Sequence, residues 1–581
     1  MQRAYTIRAI ALAVTALLSL SGAWIFAMFI AADGTSLLDW FRVALFALTG
    51  FWLVWGGLAG LMGVFVPRRK LVAVHGPPRG LTAVLIPIYN EDPATTFSRI
   101  AAMNRSLVGL GVAEKFHFAV LSDTTALEVA AQEALWFDEL VREFHGEPRI
   151  FYRRRERNIG KKAGNIQDFV ERSGGAYDYA LILDADSLMD GRTIAALAHR
   201  MDEDERLGLL QTVPQVIRAK TLFGRLMQFS SAFLAPYFAR GAVLTQGEEG
   251  PYWGHNAIVR VKAFAASCGL PVLSGKPPAG GHILSHDYVE AALLVRAGWK
   301  VMVDPDLGGS FEEGPENLVE YAKRDRRWCQ GNLQHRRLVM APGLKFWSRF
   351  TFVQGIMAYV ASPLWLLLMA AGIVAGAMPD RGARGTEDGI WVLTAAVAAA
   401  LLVAKFVILL RSSLADRNAG FGGLVKATAS VLAEIVLSTL LAPILLCFQS
   451  KAVIQILLGL DGGWPATRRS EGRIDLSDAF AASWWIVVTA GIVLSITLSV
   501  APALVPWLLP VALPALFAPL LITATSLGGS GDSAPWLFLT PTDIDPPQVM
   551  IDQQQILASW TTDETVLVGD GVLAGAAYVR A

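Results

Sequence analysis

"LILDADS" (residues 181–187) closes an apolar run with two carboxylates one residue apart. Burying charge is costly, so a strand that ends in Asp184 and Asp186 is holding them out at an edge. Three similar runs precede it: "LTAVLIPIY" (81–89), "FHFAVLSD" (116–123) and "PRIFYRR" (148–154). Helical spacing follows each strand, after Pro93, over 126–144, over 162–173 and near 191–202. Strands and helices alternating at these lengths predict a mostly parallel α/β sheet covered on both faces. In such sheets ligands sit at the carboxyl ends of the strands. All four runs carry polar residues there: Tyr89, Asn90 and Glu91; Ser122 and Asp123; Arg153 and Arg154; Asp184 and Asp186. Strand alternation sets Asp184 and Asp186 on one face, where their oxygens suit a divalent cation that also takes substrate phosphates. An isolated D-x-D is a weak signal, but its place downstream of Glu91 and Asp123 strengthens it.

The rest of the chain is too apolar for an ordinary soluble protein. Of 581 residues 53% are hydrophobic and only 17% charged, with mean hydropathy +0.43. A spanning helix needs about 20 mainly apolar residues, and 7–30 and 41–66 both qualify. The first lacks a small-residue cleavage site and reads as an uncleaved anchor. Arg3 and Arg8 stand at its start, Arg68, Arg69 and Lys70 follow the second, and the loop between carries Asp33 and Asp39. The positive-inside rule then places both outer flanks, and all of 67–345, in the cytosol. Further spans are expected at 352–378, 390–410 and 423–448, with two more in 482–528 hinged near Pro502, Pro506 and Pro510. The segment 450–469 reads as an interfacial or re-entrant helix or part of another crossing, which leaves seven or eight spans open. Lys405 snorkels or faces inward, and Glu434 is a candidate for lining a polar path. The expected fold is therefore a polytopic α-helical membrane protein with a cytosolic α/β domain inserted between transmembrane helices. Its parts are 1–66 (two helices), 67–345 (the α/β domain), 346–528 (membrane region) and 529–581 (a soluble tail).

Formal net charge is zero, which offers nothing to nucleic acid. "RRRER" (153–157) lacks interleaved aromatics and reads as a solvated face. Three scattered cysteines exclude a disulfide framework or zinc site and read as small buried hydrophobes. No Walker or dinucleotide glycine fingerprint occurs in the block. "ILSHDYVE" (283–290) puts Ser285, His286 and Asp287 before a helix; Asp287 is either its N-cap or a general base for an acceptor hydroxyl. "AKRDRRWCQGN" (322–332) crowds Arg324, Arg326, Arg327 and Trp328, either as a lipid-facing basic cluster or as charge for a leaving diphosphate beside an indole platform for a sugar ring. "YWGHNAIVR" (252–260) offers Trp253, with His255 and His286 in polar supporting roles.

Together these residues resemble the processive, inverting family 2 glycosyltransferases with a Rossmann-like GT-A fold, related to cellulose synthase. The matching positions are Glu91, Asp123, Lys162-Ala163-Gly164-Asn165, Asp184-x-Asp186, Ser285-His286-Asp287 and Arg324-x-x-Arg327-Trp328. Cellulose-synthase-like members usually have T-E-D and a leading Gln where this chain has S-H-D and Arg324. "WGHNAIVR", "ILSHDYVEAALL" and "RDRRWCQGN" look closest to the glucans biosynthesis glucosyltransferase H family, over roughly 67–470. That resemblance implies UDP-glucose as donor and a β-1,2-linked glucan delivered from the bacterial inner membrane to the periplasm. It implies that Glu91, Asp123, Lys162, Asn165, Asp184, Arg324 and Arg327 bind the nucleotide sugar. It further implies that Asp184 and Asp186 hold Mg²⁺ or Mn²⁺, that Asp287 is the base, and that Trp253, Trp328 and His286 meet the acceptor. An acyl carrier protein and a periplasmic glucan-processing protein are partners implied in the same way. Alternatives are a synthase of another β-glycan (cellulose, chitin or hyaluronan), a transferase loading one sugar onto a lipid phosphate carrier, and a nucleotide-sensing transporter or receptor. Linkage, and whether the chain itself exports the glucan, are not written in these motifs.

Overall fold

The computed structural model describes residues 2–30, 36–69, 76–378, 387–460, 472–528 and 536–567. Its contacts group into two compact units, one of Met1–Val72 with Glu205–Asp545, the other of Ala73–Asp204 with Pro546–Ala581.

The second unit is the expected parallel sheet. Strands β1 (Thr82–Ile88), β2 (Phe116–Ser122), β3 (Ile150–Arg154) and β4 (Tyr179–Ile182) lie in the order β3-β2-β1-β4. Every pairing in that row is parallel. Burial on both faces explains why β1, β2 and β4 read as continuous apolar runs. The helix Pro93–Gly109 starts where Asp92 accepts the Thr95 N–H at 2.9 Å and Pro93 takes the first turn. It carries Phe97, Ile100 and Met103 into the core. Helix Gln548–Leu567 packs on it, Gln553 Nε2 donating to Ser98 Oγ at 2.7 Å, and on the helix Leu127–Glu143, where Trp560 stacks on Trp136. Residues 548–567 of the segment expected as a soluble tail thus pack within this unit.

The first unit combines membrane helices with the later strands. Among the described residues six helices are long and apolar enough to cross a membrane: Gln2–Ile30, Leu37–Val64, Phe346–Gly376, Trp391–Leu414, Leu424–Leu457 and Leu476–Val500. Their outer faces expose Leu17, Leu20, Trp24, Leu48, Val436 and Ile492, the composition that lipid tolerates. After Leu476–Val500 comes a pair, Pro502–Leu516 and Ala518–Thr525, bent by 57°. Pro510 and Pro514 inside that segment remove backbone donors and prevent a straight helix. Residues 450–457 continue the helix Leu424–Leu457 and do not begin a helix of their own; 461–469 lie outside the described residues. Lys405 and Glu434 satisfy each other, Nζ lying 2.7 Å from Oε2. Two opposite charges a helix apart remove the need for either to snorkel or line a path.

Strand Leu207–Thr212 pairs antiparallel with Ala257–Arg260 and parallel with Lys300–Asp304, and Gln215–Ile217 pairs with Ser310–Glu313. The contact division therefore falls within the expected 67–345 block, near residue 205. Ion pairs and side-chain bonds explain it. Buried Asp306 meets Arg240 at 2.7 Å and the Arg69 N–H at 2.9 Å. Arg8, buried in the first helix, donates to the Thr245 and Gln246 carbonyls and to Glu249. It thereby satisfies the end of the helix Ala235–Gln246. Asp543 pairs with Arg225 at 2.9 Å, which holds residues 536–545 in this unit.

Candidate active site

In the second unit the two carboxylates of 184 and 186 are not held by strand alternation. β4 ends at Ile182, and the Leu183 N–H makes the last bond to β1, to Leu85 O at 3.0 Å. A tight turn follows, in which Asp184 N–H donates to Ser187 Oγ (2.9 Å) and Ser187 N–H to Asp184 O (3.0 Å). The turn separates the environments of the pair. The Asp184 side chain keeps 35% exposure and pairs with Lys162, whereas Asp186 is only 4% exposed. Lys162 comes from the start of the helix Lys161–Ser173. That helix can begin here because Gly164 has no Cβ: one would stand 2.0 Å from Ile159 O.

Asp123 is gripped by Arg155, whose Nε and Nη2 each lie 2.7 Å from its carboxylate oxygens. This two-pronged pairing fixes the carboxylate plane; of "RRRER", read as a solvated face, Arg154, Glu156 and Arg157 are exposed and Arg155 is drawn inward. Arg154 donates to Thr124 O at 3.1 Å and Arg153 pairs with Asp168, so Arg153, Arg154 and Arg155 tie the edge of the sheet together. Asn165 is fully buried, donating to Leu121 O and accepting from Arg153; both its polar atoms already serve the scaffold. Glu91 accepts from the Tyr89 N–H. Asn90, at φ +57°, accepts from the N–H groups of Thr125 and Ala126 and joins the β1 and β2 edges.

Among the described residues no group of three or more His, Cys, Asp and Glu side chains converges on a metal-sized site. Two hard carboxylates at 184 and 186 nonetheless fit a Mg²⁺ or Mn²⁺ that completes its shell with diphosphate and water oxygens.

In the first unit, Asp287 lies in the opening turn of the helix His286–Arg296. The N-cap is Ser285, which makes no side-chain capping bond, so the capping explanation for Asp287 fails. Gly254, at φ +92°, comes close enough that a Cβ there would lie 3.3 Å from Asp287 Oδ2. The Trp253 side chain hydrogen-bonds Tyr288, whose phenol is pushed upward by burial first and by the Asp287 charge second. The Trp253-Gly254 and Ser285-His286-Asp287 segments thus meet. Gln211, unremarked in the sequence, fixes the first of them by accepting the Trp253 N–H at 3.0 Å and donating to Pro251 O at 2.6 Å. His255 turns away to Glu312 at 2.6 Å. His286 lies along its own helix, with Nδ1 3.1 Å from Glu290 Oε1 one turn on.

The helix Leu318–Gln334 carries the arginines and Trp328. Trp328 is 41% exposed, with the Arg324 guanidinium 4.5 Å from its ring centroid, a cation–π contact. Its other side faces the membrane helices. Buried Asp325 accepts from Gln449 Nε2 at 2.9 Å, and Gln449 in turn accepts from Ser362 Oγ at 2.6 Å. Burial pushes the Asp325 carboxyl up, with the Gln449 bond opposing. Burial and then the Asp325 charge push the Cys329 thiol up to about 12, consistent with an inert packing residue. Arg326 donates to Gln455 and to Leu460 O, so this arginine is an anchor.

Comparison with known proteins matches the family described as "Glycosyl transferase family 2" over residues 83–267 and "Glycosyl transferase family group 2" over 179–408. A protein of Cereibacter sphaeroides named glucans biosynthesis glucosyltransferase H is 49% identical over 576 residues, 96% of each chain. The chain belongs to the glucans biosynthesis glucosyltransferase H family. A namesake from Rhodopseudomonas palustris is 37% identical over 97% of this chain and 82% of its own. One from Bradyrhizobium diazoefficiens is 38% identical over 94% and 76%. A solved mannosyltransferase from Pyrobaculum calidifontis, in complex with GDP-Man and Mn²⁺, covers 68% of this chain and 99% of its own. Its identity is 14% and its TM-score 0.44, a level that carries no further argument. Membership in the glucosyltransferase H family makes the chain a family 2 glycosyltransferase, and the spanning-length helices among its described residues make it a membrane protein.

Proposed function

We propose that this glycosyltransferase polymerises glucose from UDP-glucose into the β-1,2-linked backbone of periplasmic glucans, from the cytosolic side of the bacterial inner membrane. The observation that carries the reading is the 49% identity to a named glucosyltransferase over 96% of both chains. Arg3, Arg68 and Arg69 lie at the outer ends of the first two spans and support the cytosolic side for the motifs.

Chemically, an acceptor hydroxyl attacks the anomeric carbon from the face opposite UDP, and configuration inverts in one displacement. Asp287 takes the hydroxyl proton as the new bond forms. His286 is the weaker candidate because its ring nitrogen is turned to Glu290. Glu91 and Asp123 orient the uridine half, the latter held rigid by Arg155. Lys162, Arg324 and Arg327 offset the negative charge that grows on the departing diphosphate. A Mg²⁺ or Mn²⁺ bound at Asp184 and Asp186 would supply further positive charge to that diphosphate. Trp253 and Trp328 offer flat apolar faces to the acceptor glucan. An acyl carrier protein and a periplasmic glucan-processing protein complete the partners that the family implies.

Trp328→Ala is expected to impair elongation while hydrolysis of UDP-glucose by water continues. Stacking on aromatic faces serves the acceptor ring, and loss of donor affinity with elongation untouched would reverse the assignment. The function itself is tested by supplying UDP-glucose to inverted membrane vesicles that carry the protein. Polymer with glucose linked through O-2 is expected; polymer of another linkage, or synthesis only in right-side-out vesicles, would overturn the product or the orientation.

A further inference from the structure

The turn that carries Asp287 is held from outside. Ser285 caps its helix without a side-chain bond, at φ −92° and ψ 63°. The missing constraint comes from the far end of the arginine–tryptophan helix. Leu284 N–H donates to Gln334 Oε1 at 2.9 Å, and Gln334 Nε2 donates to Gly280 O and His282 O at 3.2 and 3.3 Å. The His335 ring nitrogen Nε2 lies 2.8 Å from Ser285 O. A carbonyl only accepts, so Nε2 carries the hydrogen. Nδ1 is buried without a hydrogen-bond partner, as the bare nitrogen of that tautomer would be. Burial holds the imidazole down to about 4, against a smaller upward pull from the Ser285 carbonyl. The donor is therefore a neutral ring at physiological pH. It packs between Tyr288 and Phe352, and both Gln334 and His335 are fully enclosed. Gly331, one turn earlier, brings the helix against the same turn: a Cβ there would meet Ser285 Oγ at 2.2 Å and Ser285 N at 2.5 Å.

Residues 331, 334 and 335 share one face of the helix end, and the same helix carries Trp328 and Arg324 three turns or less away. We propose that Gln334 and His335 are positioning residues that set the place of Asp287 relative to the acceptor by gripping the backbone from Gly280 to Ser285. This rests on the reading of Asp287 as the base. Misplacing a catalytic group by about 1 Å costs on the order of 10²-fold in rate, so the grip should act on kcat and leave donor binding alone.

The test compares His335→Phe, which keeps an aromatic ring and removes the donor, with His335→Gln, whose amide restores a donor near the Nε2 position. Gln334→Met gives an independent variant should the Phe substitution fail to fold. Expected are a kcat for glucan synthesis lowered about 10–10²-fold in His335→Phe and Gln334→Met, unchanged UDP-glucose affinity, and recovery in His335→Gln. Wild-type kcat in His335→Phe beside an inactive Asp287→Asn would overturn the positioning proposal alone. So would a His335→Gln variant as impaired as His335→Phe, or loss of donor affinity and thermal stability in step with kcat. Glucan synthesis by Asp287→Asn would instead overturn the base reading on which the proposal stands.

Discussion

Asp287→Asn is expected to bind UDP-glucose and metal normally and to make no measurable glucan, while His286→Gln retains synthesis. A sugar hydroxyl is a poor nucleophile until its proton leaves with bond formation, and a positioned base contributes about 10²–10⁴-fold. The Asn side chain keeps the shape of the carboxylate. Because Asp287 makes no N-cap bond, its replacement leaves the start of the helix His286–Arg296 as it was. The imidazole of His286 suits proton transfer by its ordinary pKa of about 6.5, but its Nδ1 lies 3.1 Å from Glu290 Oε1 on the same helix. Robust polymer from Asp287→Asn together with an inactive His286→Gln would transfer the role to the histidine.

Chelation of divalent metal is expected to abolish synthesis, with Asp186→Ala losing metal-dependent UDP binding. Two units of negative charge on a diphosphate next to the carboxylates of the Asp184–Asp186 turn would repel without a cation between them. Lys162 already neutralises Asp184 and offers one positive charge in its place, so a residual, metal-independent affinity for UDP is expected in the variant. Asp186 is buried, so Asp186→Asn is the companion that holds shape; its melting temperature should match the wild type while its metal response is lost. Full synthesis in excess chelator would exclude this role for the pair. Measuring UDP binding with and without Mn²⁺ separates the metal from the fold.

How far these sites could be read in advance follows from the range of the interactions. The strands β1 to β4 announce themselves because a doubly covered parallel sheet imposes unbroken apolar runs. Pro93 and the polar strand ends were legible for the same local reason. The turn at Asp184 was not, since it depends on Ser187 replacing a strand partner just where the ladder to β1 runs out. Pairing at long range was equally hidden. Arg155 reaches back 32 residues to Asp123, Lys405 finds Glu434 29 residues on, and His335 finds Ser285 50 residues before it. A cluster such as "RRRER" looks solvated when its partners are unknown. Charge and motif order still pointed to the chemistry, because the residue types that do it are few. What they left out was the scaffold: Gln211, Arg155, Gln334 and His335 are ordinary residues whose importance comes from where their neighbours lie.

Inversion by a single displacement is the central claim, and the anomeric configuration of the product reads it directly. Glucan made from UDP-glucose, an α-linked donor, by the purified protein in vesicles should show the large anomeric proton coupling of β-glucosides by NMR, at every newly formed linkage. An α-linked product would require a second displacement or a front-side route, and would contradict the assignment of Asp287 as the base of a one-step inverting transfer.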